Sequence, residues 1–134
     1  MKIYLDYTQS YETIEDTYGD DGPYTGFKEE SITTEFLGLY KTQPKEKFFY
    51  ESLEIYDEEL LKCKTLFAAI VIYSDGGTFG KTNGYWKILG LERTEEKAQS
   101  LLDLTLQNKS ERYPWNNYFA SLQDSYVKEL SLHD

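Results

Sequence analysis

The sequence is short of the residues that most chemistries need. Its one cysteine, Cys63, cannot form an intramolecular disulfide and lacks the companion thiolates of a structural zinc site. A reducing, cytoplasmic setting is therefore expected. Beside Leu61, Lys62 and Lys64, Cys63 reads as a small packed hydrophobe, the alternative being a thiol activated by the lysines. The one histidine, His133, is the penultimate residue, where chains commonly fray, and any Ser-His-Asp or Cys-His arrangement would have to borrow it. No catalytic residue is assigned, and a non-enzymatic protein is expected. Long apolar runs are missing too. The longest, Leu66 to Tyr73, falls far short of the roughly twenty residues of a membrane helix. The first residues, Met1-Lys-Ile-Tyr-Leu-Asp6, meet a carboxylate too early for the apolar core of a signal peptide. Asn108-Lys109-Ser110 is thus read as an idle glycosylation sequon.

Basic residues are the other deficit. Fourteen Lys and Arg stand against 24 Asp and Glu, a formal charge of -10. Nucleic acids and anionic membranes both attract basic surfaces, so neither is expected as a direct partner. The imbalance is uneven: residues 1–67 hold 15 acidic and 7 basic residues, and residues 68–134 hold 9 and 7. Between Glu12 and Glu35 eight carboxylates face a single lysine.

Metal and cofactor signatures are absent. Counting an EF-hand loop from Asp16 puts Tyr18 at position three, Asp21 where the invariant glycine belongs and Phe27 where the last glutamate belongs. Asp16, Asp20 and Asp21 therefore read as a solvated acidic loop, and no metal site is assigned. Asp75-Gly-Gly-Thr-Phe-Gly-Lys-Thr82 is one residue from the phosphate-loop pattern, with Asp75 in place of its first glycine. That chemistry needs a helix whose N-terminus faces the phosphate. Thr82 is followed instead by Asn83-Gly84 and a β-rich run, so a hairpin turn is the stronger reading. No haem, flavin or iron–sulfur fingerprint appears, and no cofactor is expected.

What the chain does have is length enough for one domain with a real core, and many aromatics: 13 Tyr, 7 Phe and 2 Trp. Alternation predicts strands at Lys2 to Tyr7, Ser31 to Tyr40, Phe48 to Tyr56, Gly84 to Leu91 and Ser125 to Leu132. Leu66 to Tyr73 predicts a central strand covered on both faces. An acidic loop or hairpin fills about 9–30, with Asp20-Asp21-Gly22-Pro23 as turn chemistry. Ser74 to Asn83 reads as a Gly-rich turn and Tyr113 to Tyr118 as a loop. Thr94 is a good N-cap, Glu95 and Glu96 suit a helix N-terminus, and Ala98, Leu101, Leu102 and Thr105 recur at helical spacing. One principal helix of about 95–107 follows, with Asn108 as its stop. The expected class is α+β: a mostly antiparallel, twisted sheet with that helix packed on one face.

The two halves also echo each other. Phe36-Leu-Gly-Leu-Tyr-Lys-Thr42 matches Ile88-Leu-Gly-Leu-Glu-Arg-Thr94 at an offset of 52, and Ser52-Leu53 with Tyr56 to Leu60 matches Ser121-Leu122 with Tyr126 to Leu130. Two ββ(α)β-like half repeats, 1–62 and 65–134, would explain this; chance recurrence of common strand and cap residues would too. In the first half the helix would be a single turn or absent.

Two functional readings follow. In the first, the chain docks on a basic partner protein through Glu12, Glu15, Asp16, Tyr18, Asp20, Asp21 and Tyr24, because carboxylates steer cationic partners and tyrosines supply rigid contact area. Small acidic inhibitors of the immunity-protein and phage anti-defence kind are of this type, and in the extreme such a strip stands in for a phosphate backbone. In the second, a small molecule or nucleotide lies between the Gly-rich and aromatic loops, on Asp75, Thr78, Phe79, Lys81, Tyr85, Trp86 and Trp115.

Overall fold

The computed structural model describes residues 1–15, 28–45, 49–77 and 80–134, with backbone alone at Ile14 and Glu15. Six strands form one mixed sheet in the order β3-β1-β2-β5-β4-β6: β1 is Lys2–Glu15, β2 Lys28–Tyr40, β3 Tyr50–Glu54, β4 Thr65–Gly77, β5 Gly80–Glu92 and β6 Ser121–His133. The helix α1 spans Glu95–Gln107. Short 3-10 turns lie at Glu58–Lys62 and Pro114–Asn116. The fold is therefore α+β, its sheet mostly antiparallel. No helix among the described residues is long and apolar enough to cross a membrane.

Helix α1 forms where the caps and spacing predict it. The Thr94 side chain accepts a hydrogen bond from the Lys97 N–H at 3.2 Å, satisfying one of the donors that a helix start leaves open. The Asn108 N–H closes the far end on the Thr105 carbonyl at 3.1 Å. Ala98 and Leu102, four residues apart, are buried against the sheet. Below them Ala69 and Val71 of β4 and Trp115 make a compact cluster.

The other face of β4 carries the larger core. Leu66, Ala68 and Ile70 meet Ile3 and Leu5 of β1, Phe36 and Leu39 of β2, and Leu130 of β6. Successive strand residues point to opposite faces, so β4 is apolar on both, as a strand enclosed between two layers must be.

Several elements run longer than the sequence suggests. Of the 9–30 segment expected as an acidic loop or hairpin, the described ends are the two arms of a hairpin: β1 continues to Glu15 and β2 begins at Lys28. Likewise β4 and β5 run to Gly77 and from Gly80, so little of the Ser74 to Asn83 turn remains outside the ladder. Polar and glycine residues here are held by pairing with neighbouring strands, which composition alone does not reveal. The Tyr113 to Tyr118 loop contains the Pro114–Asn116 turn. His133 is not frayed: its ring lies 4.9 Å from that of Tyr40, and its carbonyl accepts from the Lys41 N–H at 2.9 Å.

Both halves share one connectivity. β1 pairs antiparallel with β2 and β3; β4 pairs antiparallel with β5 and β6. The Leu-Gly-Leu match falls at the same place in each. Asp6 opposes Gly38 and Tyr7 opposes Phe36, leaving Leu37 bulged; Ala69 opposes Gly90 and Ile70 opposes Ile88, leaving Leu89 bulged. The second match does not correspond. Ile3 opposes Leu53 where Leu66 opposes Leu130, so Leu53 stands in the place of Leu130, while Tyr56 to Leu60 lies past the end of β3.

Two parallel pairings join the halves. Lys28 to Ser31 of β2 lie beside Gly80 to Asn83 of β5, again at an offset of 52. At its other end β2 meets β6 through Leu39↔Leu132 and Tyr40↔His133.

Candidate functional site

The β2–β5 pairing lays the acidic hairpin and the Gly-rich hairpin side by side. Gly84 permits this. Its φ is +88°, and a Cβ there would be driven into the Ile32 carbonyl oxygen. Just before it, Asn83 donates to Glu29 Oε1 at 2.7 Å and accepts from Gln123 Nε2 at 2.9 Å; the Gln123 Oε1 in turn accepts from the Gly84 N–H at 2.9 Å. Strands β2, β5 and β6 are thus tied by one amide–carboxylate chain. Lys81 adds an ion pair to Glu29 at 3.6 Å.

On the opposite face of this junction is a cavity of about 370 Å³, lined by Lys28, Glu30, Asp75, Lys81, Thr82 and Tyr85 among others. Asp75 is partly committed, its carboxylate accepting from the Gly76 N–H at 2.8 Å. Beneath Tyr85 lies Tyr73, ring centroids 5.6 Å apart. Burial, then the Asp75 carboxylate, pushes the Tyr73 hydroxyl above its ordinary pKa, so it stays a neutral donor. His133 stands at the Tyr40 end of β2, twelve residues of strand or roughly 40 Å from Lys28, and cannot serve the cavity.

Of the partner-binding residues, Glu12 is exposed on β1 opposite Ser31, and the Glu15 backbone pairs with Lys28. Asp16, Tyr18, Asp20, Asp21 and Tyr24 lie outside the described residues. Of the ligand-binding set, Asp75, Lys81 and Tyr85 come together at the cavity, and Thr78 and Phe79 lie outside the described residues. The two tryptophans do not join them. Trp86 turns inward onto Tyr7 and Phe36, at 5.1 and 5.0 Å. Trp115 is 6% exposed, stacked on Tyr113 at 4.9 Å beneath α1. The cavity wall opposite the Gly-rich hairpin is β2, in place of the aromatic loop the sequence suggested.

Sequence reasoning missed Glu29, Glu30, Asn83 and Gln123. Asn83-Gly84 reads as a turn, and nothing local marks an amide whose partners are 54 and 40 positions away. Among the described residues no three His, Cys, Asp or Glu side chains converge as a metal site would.

Beyond the core the side chains of the β1–β2 ribbon are exposed or half-buried. No described side chain in Thr8–Thr13 or Lys28–Glu35 is buried. Its paired rows alternate faces: Thr8/Glu35, Ser10/Thr33 and Glu12/Ser31 share the one opposite Tyr7/Phe36. Along the arms Glu12, Glu15, Glu29, Glu30 and Glu35 outnumber the lone Lys28.

The geometry defines an α+β protein with an acidic β-ribbon and a small polar cavity beside the Lys28 end of its β2 arm. Compared with family models, curated proteins and solved structures, the chain matches none of them.

Proposed function

We propose that the chain is a non-enzymatic binding protein that docks on a basic partner protein through the outer face of the β1–β2 ribbon, in the manner of an acidic inhibitor. The observation that carries this reading is the ribbon's exposed row of Thr8, Ser10, Glu12, Thr33 and Glu35, which buries nothing of its own. Unpaired carboxylates on such a projection steer association with cations, and the hydroxyls between them donate and accept without adding charge. Asp16, Asp20 and Asp21 continue the acidic run in sequence.

Affinity capture from the native host, with the wild-type chain beside a Glu12→Lys/Glu35→Lys variant, tests this. The expected result is a basic protein retained by the wild type and lost by the variant, with an association rate falling about tenfold or more between low and high salt. Retention of the same partner by both, with no dependence on salt, would overturn it.

The cavity supports a second reading, a small anionic ligand or nucleotide held by Lys28 and Lys81 with Tyr85 stacked above. Glu30 and Asp75 in the same lining weigh against an anion. A flat thermal-shift response across a nucleotide panel would dispose of it.

A further inference from the structure

One of the differences between the halves leaves a groove. On one side of the molecule β2 and β6 close on each other, Leu39 against Leu132. The 52-residue offset puts Leu91 in the place of Leu39, and the correspondence of Leu53 with Leu130 puts Ile55 in the place of Leu132. Leu91 and Ile55 do not pair. They are two walls of a cavity of about 310 Å³ whose apolar lining Leu60, Leu89 and Leu101 complete.

The backbone beside this hole is open as well. Among the described residues β5 has a strand partner on this side only at Gly80 to Asn83. In an antiparallel strand every second residue turns its N–H and C=O away from the partner, so Tyr85 to Glu92 presents a row of donors and acceptors with no strand to meet them. β3 is the outermost strand of the sheet, with β1 on its inner side alone. The rim is acidic. Asp57 is held by Arg93 at 2.9 Å and Glu54 by the N-terminal ammonium at 2.7 Å, whereas Glu92 has no ion-pair partner among the described residues.

We propose that this groove binds an extended segment of another protein, added as a strand to the β5 edge. A leucine- or valine-sized side chain fills the hole between Leu91 and Ile55, and lysine or arginine on alternate positions lies against Glu92. The mode is edge addition: backbone hydrogen bonds give affinity and the pocket gives selectivity. The molecule performs the same closure on its other side, where β6 seats Leu132 on Leu39. A second copy is the poorer occupant. Its β3 edge would bring Glu51 and Glu54, and no lysine or arginine, against Glu92.

The test is an NMR titration of the full chain with a capped heptapeptide, Lys-Val-Lys-Leu-Lys-Val-Lys. Amide shifts are expected at Tyr85 to Glu92 and Glu54 to Asp57. Glu92→Lys should weaken binding about tenfold, while Glu111→Lys, an equal change in net charge on the exposed segment after α1, should leave it unchanged. The N-methylated peptide, which cannot donate to a strand edge, should not bind. The proposal fails if shifts appear only on the β1–β2 ribbon, if the N-methylated peptide binds as well, or if neither edge responds. It also fails if the β5 amides shift with protein concentration alone, which would assign the groove to a second copy.

Discussion

Gly84 and Asp57 show how much single residues hold here. At Gly84 a side chain must both accept φ of +88° and displace the Ile32 carbonyl. A left-handed conformation alone costs a non-glycine residue about 1 kcal/mol or more, and the backbone collision adds to it. Gly84→Ala is expected to lower unfolding free energy by about 3 kcal/mol or more, read by urea denaturation. Asp57 accepts from Arg93 at 2.9 Å and from the Glu59 N–H at 3.0 Å. The Arg93 hydrogen bond first, and the backbone one second, hold its carboxyl below the ordinary aspartate range. The N-terminal ammonium does the same for Glu54, and Lys41 for Asp134. A carboxyl whose pKa is lower folded than unfolded stabilises above the unfolded value, about 4, and loses that contribution as pH falls through the folded one. Melting temperature should therefore fall on acidification below about pH 4, and fall less steeply in Asp57→Asn, which keeps the cap geometry without the titration.

At the scale of elements, local signals sufficed where one segment carries its own reason to fold. Thr94, Glu95, Glu96 and the Ala98/Leu102 spacing define α1 before any tertiary contact, and the helix begins and ends at the residues they imply. Thr94→Ala should cost about 1 kcal/mol in denaturant unfolding, since it removes the acceptor for the Lys97 N–H and little else. Strand β4 was equally legible, being apolar on both faces. The outer parts of β1, β2, β4 and β5 were not, because Thr, Ser, Gly and Glu enter a strand only when a neighbour supplies the ladder. At Lys28 to Ser31 a second such neighbour, beyond the hairpin partner, is 52 positions away. The tryptophans failed for a related reason. Trp86 is in register with Ile72, on the face that Ile70 and Ile88 turn to the larger core, whereas Tyr85 pairs with Tyr73 on the other face.

For the whole molecule, charge and connectivity answer different questions. The deficit of basic residues points to one acidic ribbon, and the docking proposed there is expected to depend on salt. Connectivity locates the groove, through a closure that β2 makes with β6 and β5 does not make with β3. Part of this was written in the sequence: the Leu-Gly-Leu recurrence marks the same bulge in both halves. The Tyr56 to Leu60 recurrence marked nothing, since short runs of common residues recur without structural meaning.

The pairing of β2 with β6 also sets an order of events. It joins Leu39 to Leu132, and beside it Lys41 meets Asp134, 93 positions along the chain, so neither end of that contact gains anything until the chain between has been brought round. Loop closure must be met before such contacts repay it, which places this topology among the slower folders, milliseconds to seconds, despite its modest length. Until β6 arrives, the hydrophobic margin of β2 around Leu39 lies open. The interval before closure is when this chain is most exposed to capture by other unpaired strands.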